Sequence, residues 1–238
     1  MSLYQVLESV RQRVKEASKR CPYGQKPVMI MGVAKGHPLT AVRSAAELGL
    51  VDLGENYAQE LLGKAPFCQD LGIRWHYIGK LQSNKIKYLL PHISSIHSLD
   101  SLEHAERISR IHEQLTVERP PIPVLIQVNL GNDAHRAGLQ GEVIEQIFGQ
   151  FTAIPGVVVS GLMALPPFSR TPKQARIHFK SMKQLFDKLI QLHPKPEVFR
   201  VVSMGMSRDF EEAIEEGSTC VRLGEAIFGP RPEKTKDD

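Results

Sequence analysis

Lys35 follows an apolar run, Val28–Ala34, and precedes Gly36, His37 and Pro38. The run reads as a buried strand that stops on a lysine and turns toward a helix. Desolvation disfavours an ammonium ion, and a neutral amine is a nucleophile that condenses with aldehydes. A lysine taken alone more commonly reaches past a strand end into solvent. The far end of the chain tips the balance. Ser203-Met204-Gly205-Met206-Ser207 places two hydroxyls about a glycine that lets the backbone turn tightly. Ser207 is expected to be an N-cap, so that the helix behind it would offer amides and a positive dipole end to an anion. Arg222-Leu223-Gly224-Glu225 leads into another short helix. Gly224 is expected to form a second amide nest there. Each segment alone is an ordinary cap; together they read as a phosphate cradle.

Arg222 is a separate problem. In a strand it shares a face with Cys220, while Val221 and Leu223 share the other. The apolar pair suits the helix-facing side, which turns Arg222 inward. A buried arginine stays charged and needs a partner. An ion pair with Glu47, Asp52, Glu55 or Asp209 meets that need. So does donation to a ring nitrogen or phosphate of a bound cofactor.

These residues need a scaffold, and the chain supplies a regular alternation. Strand-like segments lie at Val28–Ala34, Val51–Gly54, Trp75–Gly79, Ile93–Ser98, Pro123–Asn129, Gly156–Met163, Phe199–Ser203 and Thr219–Leu223. Helix-like segments follow each: Leu39–Leu48, from Tyr57, Asn84–Leu90, from a cap at Asp100 or Ser101 to Leu115, Gly141–Thr152, Pro172–Leu192, from Ser207, and Glu225–Phe228. Leu3, Val6, Leu7, Val10 and Val14 add an amphipathic helix at the N-terminus. Eight such units predict an α/β fold, a closed (β/α)8 TIM barrel. An open doubly wound sheet would want a GxGxxG turn after an early strand, and none is present. The 238 residues are expected to form one domain, with a frayed tail from about 230. In such barrels the active site lies at the C-terminal strand ends, and phosphate is commonly held after strands seven and eight. Lys35, Glu55, Asn56, Gly79, Lys80, Gln82, Asn84, Asn129 and Met163 all fall at strand ends in this reading.

Composition narrows the classes. The chain is 42% hydrophobic and 24% charged, as for a globular protein with a real core. A net charge of +4, spread along the chain, does not demand nucleic acid. Three cysteines without regular spacing argue against a disulfide framework or zinc site, and for a reducing compartment. No segment approaches the ~20 apolar residues of a bilayer span, nor does the N-terminus read as a signal peptide. A cytoplasmic location is expected. An amine facing a phosphate cradle fits a ligand carrying an aldehyde and a phosphate. Pyridoxal 5′-phosphate (PLP) is one, and a sugar phosphate on a class I aldolase is another.

The chain resembles the pyridoxal phosphate homeostasis family, also called proline synthase co-transcribed, which is related to the N-terminal barrel of alanine racemase. The resemblance rests on Val33-Ala34-Lys35, Gly54-Glu55-Asn56-Tyr57, His76–Lys85, Gln127-Val128-Asn129, Gly161-Leu162-Met163, Ser203–Asp209 and Gly217–Gly224, in order over nearly the whole chain. It implies that Lys35 forms the Schiff base with PLP. It implies that Ser203, Ser207 and the amides around Gly224 hold the phosphate, that Arg222 faces the pyridine nitrogen, and that Asn56, His76 and Met163 lie near the ring. Two departures fall at the mouth. Gly36-His37 stand where a Thr-Lys pair is common, and Asp133 and Arg136 stand at the usual acidic and lysine positions.

An arginine at the pyridine nitrogen leaves it unprotonated and makes a weaker electron sink than an aspartate would. A racemase also needs a second base, a tyrosine from a partner subunit's extra β-domain in the related family. The chain ends soon after strand eight, which leaves no length for such a domain. The expectation is therefore a monomeric PLP carrier that serves apo PLP enzymes rather than a robust enzyme. The alternative is an amino-acid racemase of low activity.

Overall fold

The computed structural model describes residues 1–115, 119–131, 137–165, 167 and 171–231. Asp133, Arg136 and the tail from 232 lie outside them. Eight parallel strands close into a barrel in chain order: β1 Met29–Val33, β2 Asp52–Glu55, β3 Arg74–Tyr77, β4 Ser95–Leu99, β5 Ile122–Val128, β6 Val157–Ala164, β7 Val201–Ser203 and β8 Cys220–Leu223. Nine helices are described: α1 Leu3–Lys19, α2 Leu39–Glu47, α3 Ala58–Lys64, α4 Ile86–Leu89, α5 Leu102–Glu113, α6 Gly141–Ala153, α7 Pro172–Leu192, α8 Phe210–Glu215 and α9 Glu225–Phe228. A 3-10 helix over Ala65–Leu71, unexpected from the sequence, extends α3.

Local chemistry explains the boundaries. Ser2 and Gln5 form a reciprocal capping box that starts α1. Ser101 caps α5 by accepting the His104 amide at 3.2 Å. Thr171 caps α7 ahead of Pro172, where a missing N–H costs nothing. Helix α1 buries Leu7, Val10, Val14 and Ala17 and packs against α8 and α9. Exposed ion pairs of Arg13 with Glu211 and Arg20 with Glu215 add little stability but fix the orientation of α1 against α8.

The core has two parts. The larger lies between sheet and helices and includes Phe148, Phe186 and Phe199, with the last two rings stacked at 4.8 Å. The smaller lies inside the barrel, where Met31, Val33, Ile78 and Cys220 meet. Val221 and Leu223 belong to the larger part and Cys220 to the smaller. The alternation that turns Arg222 inward is therefore present.

Two expectations about strand ends are corrected. Strand β1 ends at Val33, so Lys35 sits in the following turn rather than on the strand tip. The Ala34 amide still donates to the Gly54 carbonyl at 2.9 Å, and Gly36, at φ +72°, then turns the chain. Ser207 is not an N-cap. Helix α8 begins only at Phe210, preceded by Asp209. Gly205, at φ +92°, and the Asp209 carboxylate, which accepts the Met206 amide at 2.7 Å, hold residues 204–209 as a turn instead.

Phe199 is fully buried between aromatic neighbours. Phe199→Ala is expected to lower the free energy of unfolding by about 3–5 kcal/mol in urea titration. A change within experimental error would show that this aromatic stack does not support the barrel.

Candidate functional site

A cavity of about 670 Å³ opens at the C-terminal mouth of the barrel. Strand register explains its lining. Gly32 pairs with Leu223 on one side and with Leu53 on the other. The turn carrying Lys35 is thus set between Asn56 and Gly224. Lys35, Asn56, Met163, Ser207, Arg222 and Gly224 all line the cavity, joined by Asp209, Glu212, Glu225 and Arg231. Lys80, Gln82, Asn84 and Asn129 are not among the lining residues.

Lys35 is half-buried. Burial, aided by the Arg231 guanidinium, moves its pKa below the ordinary 10.5, while Glu55 and Glu60 oppose that shift. The residues flanking it are held from below by a buried cluster that sequence reasoning missed. Lys64 donates to the Ala34 carbonyl, to Glu55 Oε2 and to Glu60 Oε2, each at 2.8 Å. Glu60 Oε2 also accepts the Gly36 amide at 2.8 Å. The other oxygen of Glu55 accepts the Asn56 amide at 2.8 Å. One ammonium therefore connects both sides of Lys35 to the turn that presents Asn56. The signal was available in the sequence: Glu60 and Lys64 are four apart on one helix, and Glu55 immediately precedes Asn56.

The opposite wall comes from two loops stitched together. Ser207 Oγ accepts the Ala226 amide at 3.1 Å, and the Arg222 amide donates to Gly205 O at 3.0 Å. Gly79 permits another close approach, since a Cβ there would lie 1.8 Å from the Asn56 carbonyl oxygen. Asn56 Oδ1 is buried and, among the described residues, has no hydrogen-bond partner. An orphaned acceptor in a cavity wall fits a ligand that brings its own donor. The Gly36-His37 departure resolves into a turn glycine beneath the Arg231 stem and a buried His37 ring, tilted against Phe228 at 5.0 Å.

Arg222 is buried at the cavity floor. It donates to Ser203 Oγ at 2.6 Å and to the Ala164 carbonyl at 2.7 Å. It makes none of the four ion pairs weighed from the sequence. Asp209 acts on it only at longer range. Burial moves the Asp209 carboxyl above the usual range, against the Met206 amide and Arg222. Two expected ligand contacts are placed differently. Ser203 is fully buried beneath the floor, and its oxygen is committed to Arg222. His76 also lies in the barrel interior, bonded to Ser95 Oγ at 2.7 Å and Asp52 Oδ1 at 3.0 Å. Neither lines the cavity, because Ile78, two residues further along, takes the lining position after His76, and Met206 and Ser207 take it after Ser203.

A profile of the family described as alanine racemase, N-terminal domain, matches residues 6–232. Fold and site together define a barrel of that class. Curated relatives named pyridoxal phosphate homeostasis protein include one from Aquifex aeolicus, 36% identical over 97% of this chain and 99% of its own. Another, from Pseudomonas aeruginosa, is 37% identical over 94% of each chain. PipY from Synechococcus elongatus, solved with PLP bound, superposes with a TM-score of 0.83 at 32% identity, covering 96% of this chain and all of its own. The chain belongs to the pyridoxal phosphate homeostasis protein family. Alanine racemase from Corynebacterium glutamicum shares the fold at 18% identity and a TM-score of 0.61. No helix among the described residues is long and apolar enough to cross a membrane.

Lys64→Met leaves Glu55 and Glu60 without their shared cation. It is expected to lower the free energy of unfolding by about 3–5 kcal/mol. Chemical denaturation at neutral pH checks this, and an unchanged midpoint would exclude the cluster as a structural support.

Proposed function

We propose that this protein holds PLP covalently through Lys35 and functions in intracellular PLP homeostasis, as a carrier or buffer that supplies apoenzymes. The observation that carries the reading is the half-buried Lys35 amine facing, across one cavity, a turn built by Ser207 and Gly224. The bound group supplies an aldehyde that condenses with the Lys35 amine and releases one water. Everything else is done by the chain. Lys64 and Glu60 hold the backbone on either side of Lys35, so the amine is aimed without being consumed by an ion pair. Ser207 and the amides around Gly224 hold the phosphate. Arg222 donates to the pyridine nitrogen and keeps it free of a proton. Asn56, whose Oδ1 has no partner among the described residues, and Met163 would lie beside the ring.

The same geometry favours a carrier over a catalyst. Among the described residues no tyrosine, histidine or cysteine lines the cavity. Three carboxylates line it, Asp209, Glu212 and Glu225, and of these Asp209 holds the Met206 amide. A racemase would need an acid–base group on each face of the substrate. The carrier reading also accounts for a cavity open enough for an incoming amine to reach the covalent bond. The protein acts as a monomer in the cytoplasm.

Three measurements follow from the reading. Borohydride reduction of the PLP-loaded protein should add one pyridoxyl group on Lys35, seen by intact mass and peptide mapping. Lys35→Ala should abolish it; an adduct of equal yield on Lys35→Ala would end the assignment. Only the neutral amine attacks, so the rate of adduct formation should rise with pH through a midpoint below 10.5, the ordinary lysine value. A midpoint at or above that value would show that burial does not activate Lys35. Loaded protein should restore activity to an apo PLP enzyme faster than matched free PLP. Solvent deuterium incorporation at the Cα of an amino acid at enzymic rates would instead favour the racemase reading.

A further inference from the structure

The barrel interior below the cavity carries buried polar groups that PLP binding does not use directly. Ser203 Oγ lies between Arg222 Nη1, at 2.6 Å, and His97 Nδ1, at 3.3 Å. Arginine can only donate, so Ser203 accepts from it. The hydroxyl then has one hydrogen left to give. Its two possible acceptors are His97 Nδ1 and the Cys220 sulfur, and an imidazole nitrogen is much the stronger. Cys220 moreover directs its thiol toward Met29 Sδ, at 3.8 Å. Given to His97, the hydrogen completes a chain of donors that leaves the proton of His97 on Nε2. That chain of donors works only while His97 is neutral. Its complete burial, with His76 and Arg222 nearby, keeps its pKa well below the usual histidine value, with only Asp52 opposing. The His97 ring is braced in turn by the His76 ring at 5.4 Å, which Ser95 and Asp52 hold.

We propose that Ser203 and His97 are positioning residues for Arg222, holding its guanidinium at the cavity floor through an ordered hydrogen-bond chain that runs from Arg222 to Ser203 to His97. The proposal rests on the reading that Arg222 meets the pyridine nitrogen. It gives the buried serine of the Ser203–Asp209 segment a role other than phosphate contact. Removing the serine oxygen strands one guanidinium N–H in a buried site, so the arginine must shift or go unpaired. Either outcome reaches the cofactor through Arg222 alone.

The test uses full-length protein reloaded with PLP. Each variant is first checked for cooperative thermal unfolding. Affinity and the visible absorption band are then measured for Ser203→Ala, Arg222→Gln, the double variant, His97→Asn and His97→Gln. Ser203→Ala should weaken PLP binding about tenfold or more, as for a lost hydrogen bond to a charged group, and move the band toward that of Arg222→Gln. The double variant should bind no worse than Arg222→Gln, since both changes remove one interaction. Asparagine can place an oxygen near the position of Nδ1, whereas glutamine reaches toward that of Nε2. His97→Asn should therefore recover most of the affinity that His97→Gln loses; a merely space-filling role would rank the larger glutamine at least as high. Wild-type affinity and band in Ser203→Ala, alongside a defective Arg222→Gln, would overturn the positioning role and leave the Arg222 assignment standing. Wild-type behaviour in Arg222→Gln would overturn both.

Discussion

A guanidinium removed from water has to be given acceptors, and the mouth of this barrel is arranged around that requirement. Arg222 is buried without a carboxylate in contact. Its acceptors come from Ser203 at the end of β7 and Ala164 at the end of β6. Parallel register sets them within reach, because Met163 pairs with Ser203 and Ser203 with Cys220. One side chain thereby couples three strand ends at the floor of the cavity. Two neutral acceptors offset the desolvation of the cation without cancelling its charge, so a hydrogen-bonding capacity toward a ligand is retained.

The two lysines of the site show opposite treatments of the same group. Lys64 is buried and fully coordinated, its three hydrogens committed to Ala34, Glu55 and Glu60. It is a structural cation, and its loss leaves two carboxylates facing each other. Lys35 lies in the turn that this cluster secures, half-buried, with its pKa lowered by burial and Arg231. A buried ion cluster is a poor source of net stability but a good means of fixing geometry. Here the geometry is that of the backbone on both sides of Lys35.

The barrel is shared with racemase chains much longer than this one; this chain spans 61% of the Corynebacterium glutamicum enzyme. Likeness at that level concerns the scaffold, and function belongs to the groups added to it. What the present site adds is a floor arginine, a stapled lysine turn and a wall of two stitched loops. In the proposed reading such a set receives a phosphorylated aldehyde between the Lys35 turn and the two stitched loops.

The alternation of apolar runs and amphipathic helices made the closed barrel legible. Helices over Pro172–Leu192 and Glu225–Phe228 and the Ser101 cap coincide with the structure. Lys35, Asn56, Met163, Ser207, Arg222 and Gly224 could all be placed at the mouth, because strand order in a parallel barrel follows chain order and every strand end faces the same way. Strand periodicity likewise determined that Arg222 points inward. The partners of that arginine could not be read, since four carboxylates were equally available on paper and the structure uses none. Nor could the depth of Ser203 and His76, which depends on how strands stagger around the barrel. Stagger is a property of eight strands closing together, set by long-range hydrogen bonding and packing, and local sequence carries no record of it. The sequence thus determined which groups face the mouth, and the tertiary structure alone decided which of them touch the cavity and which stand behind it.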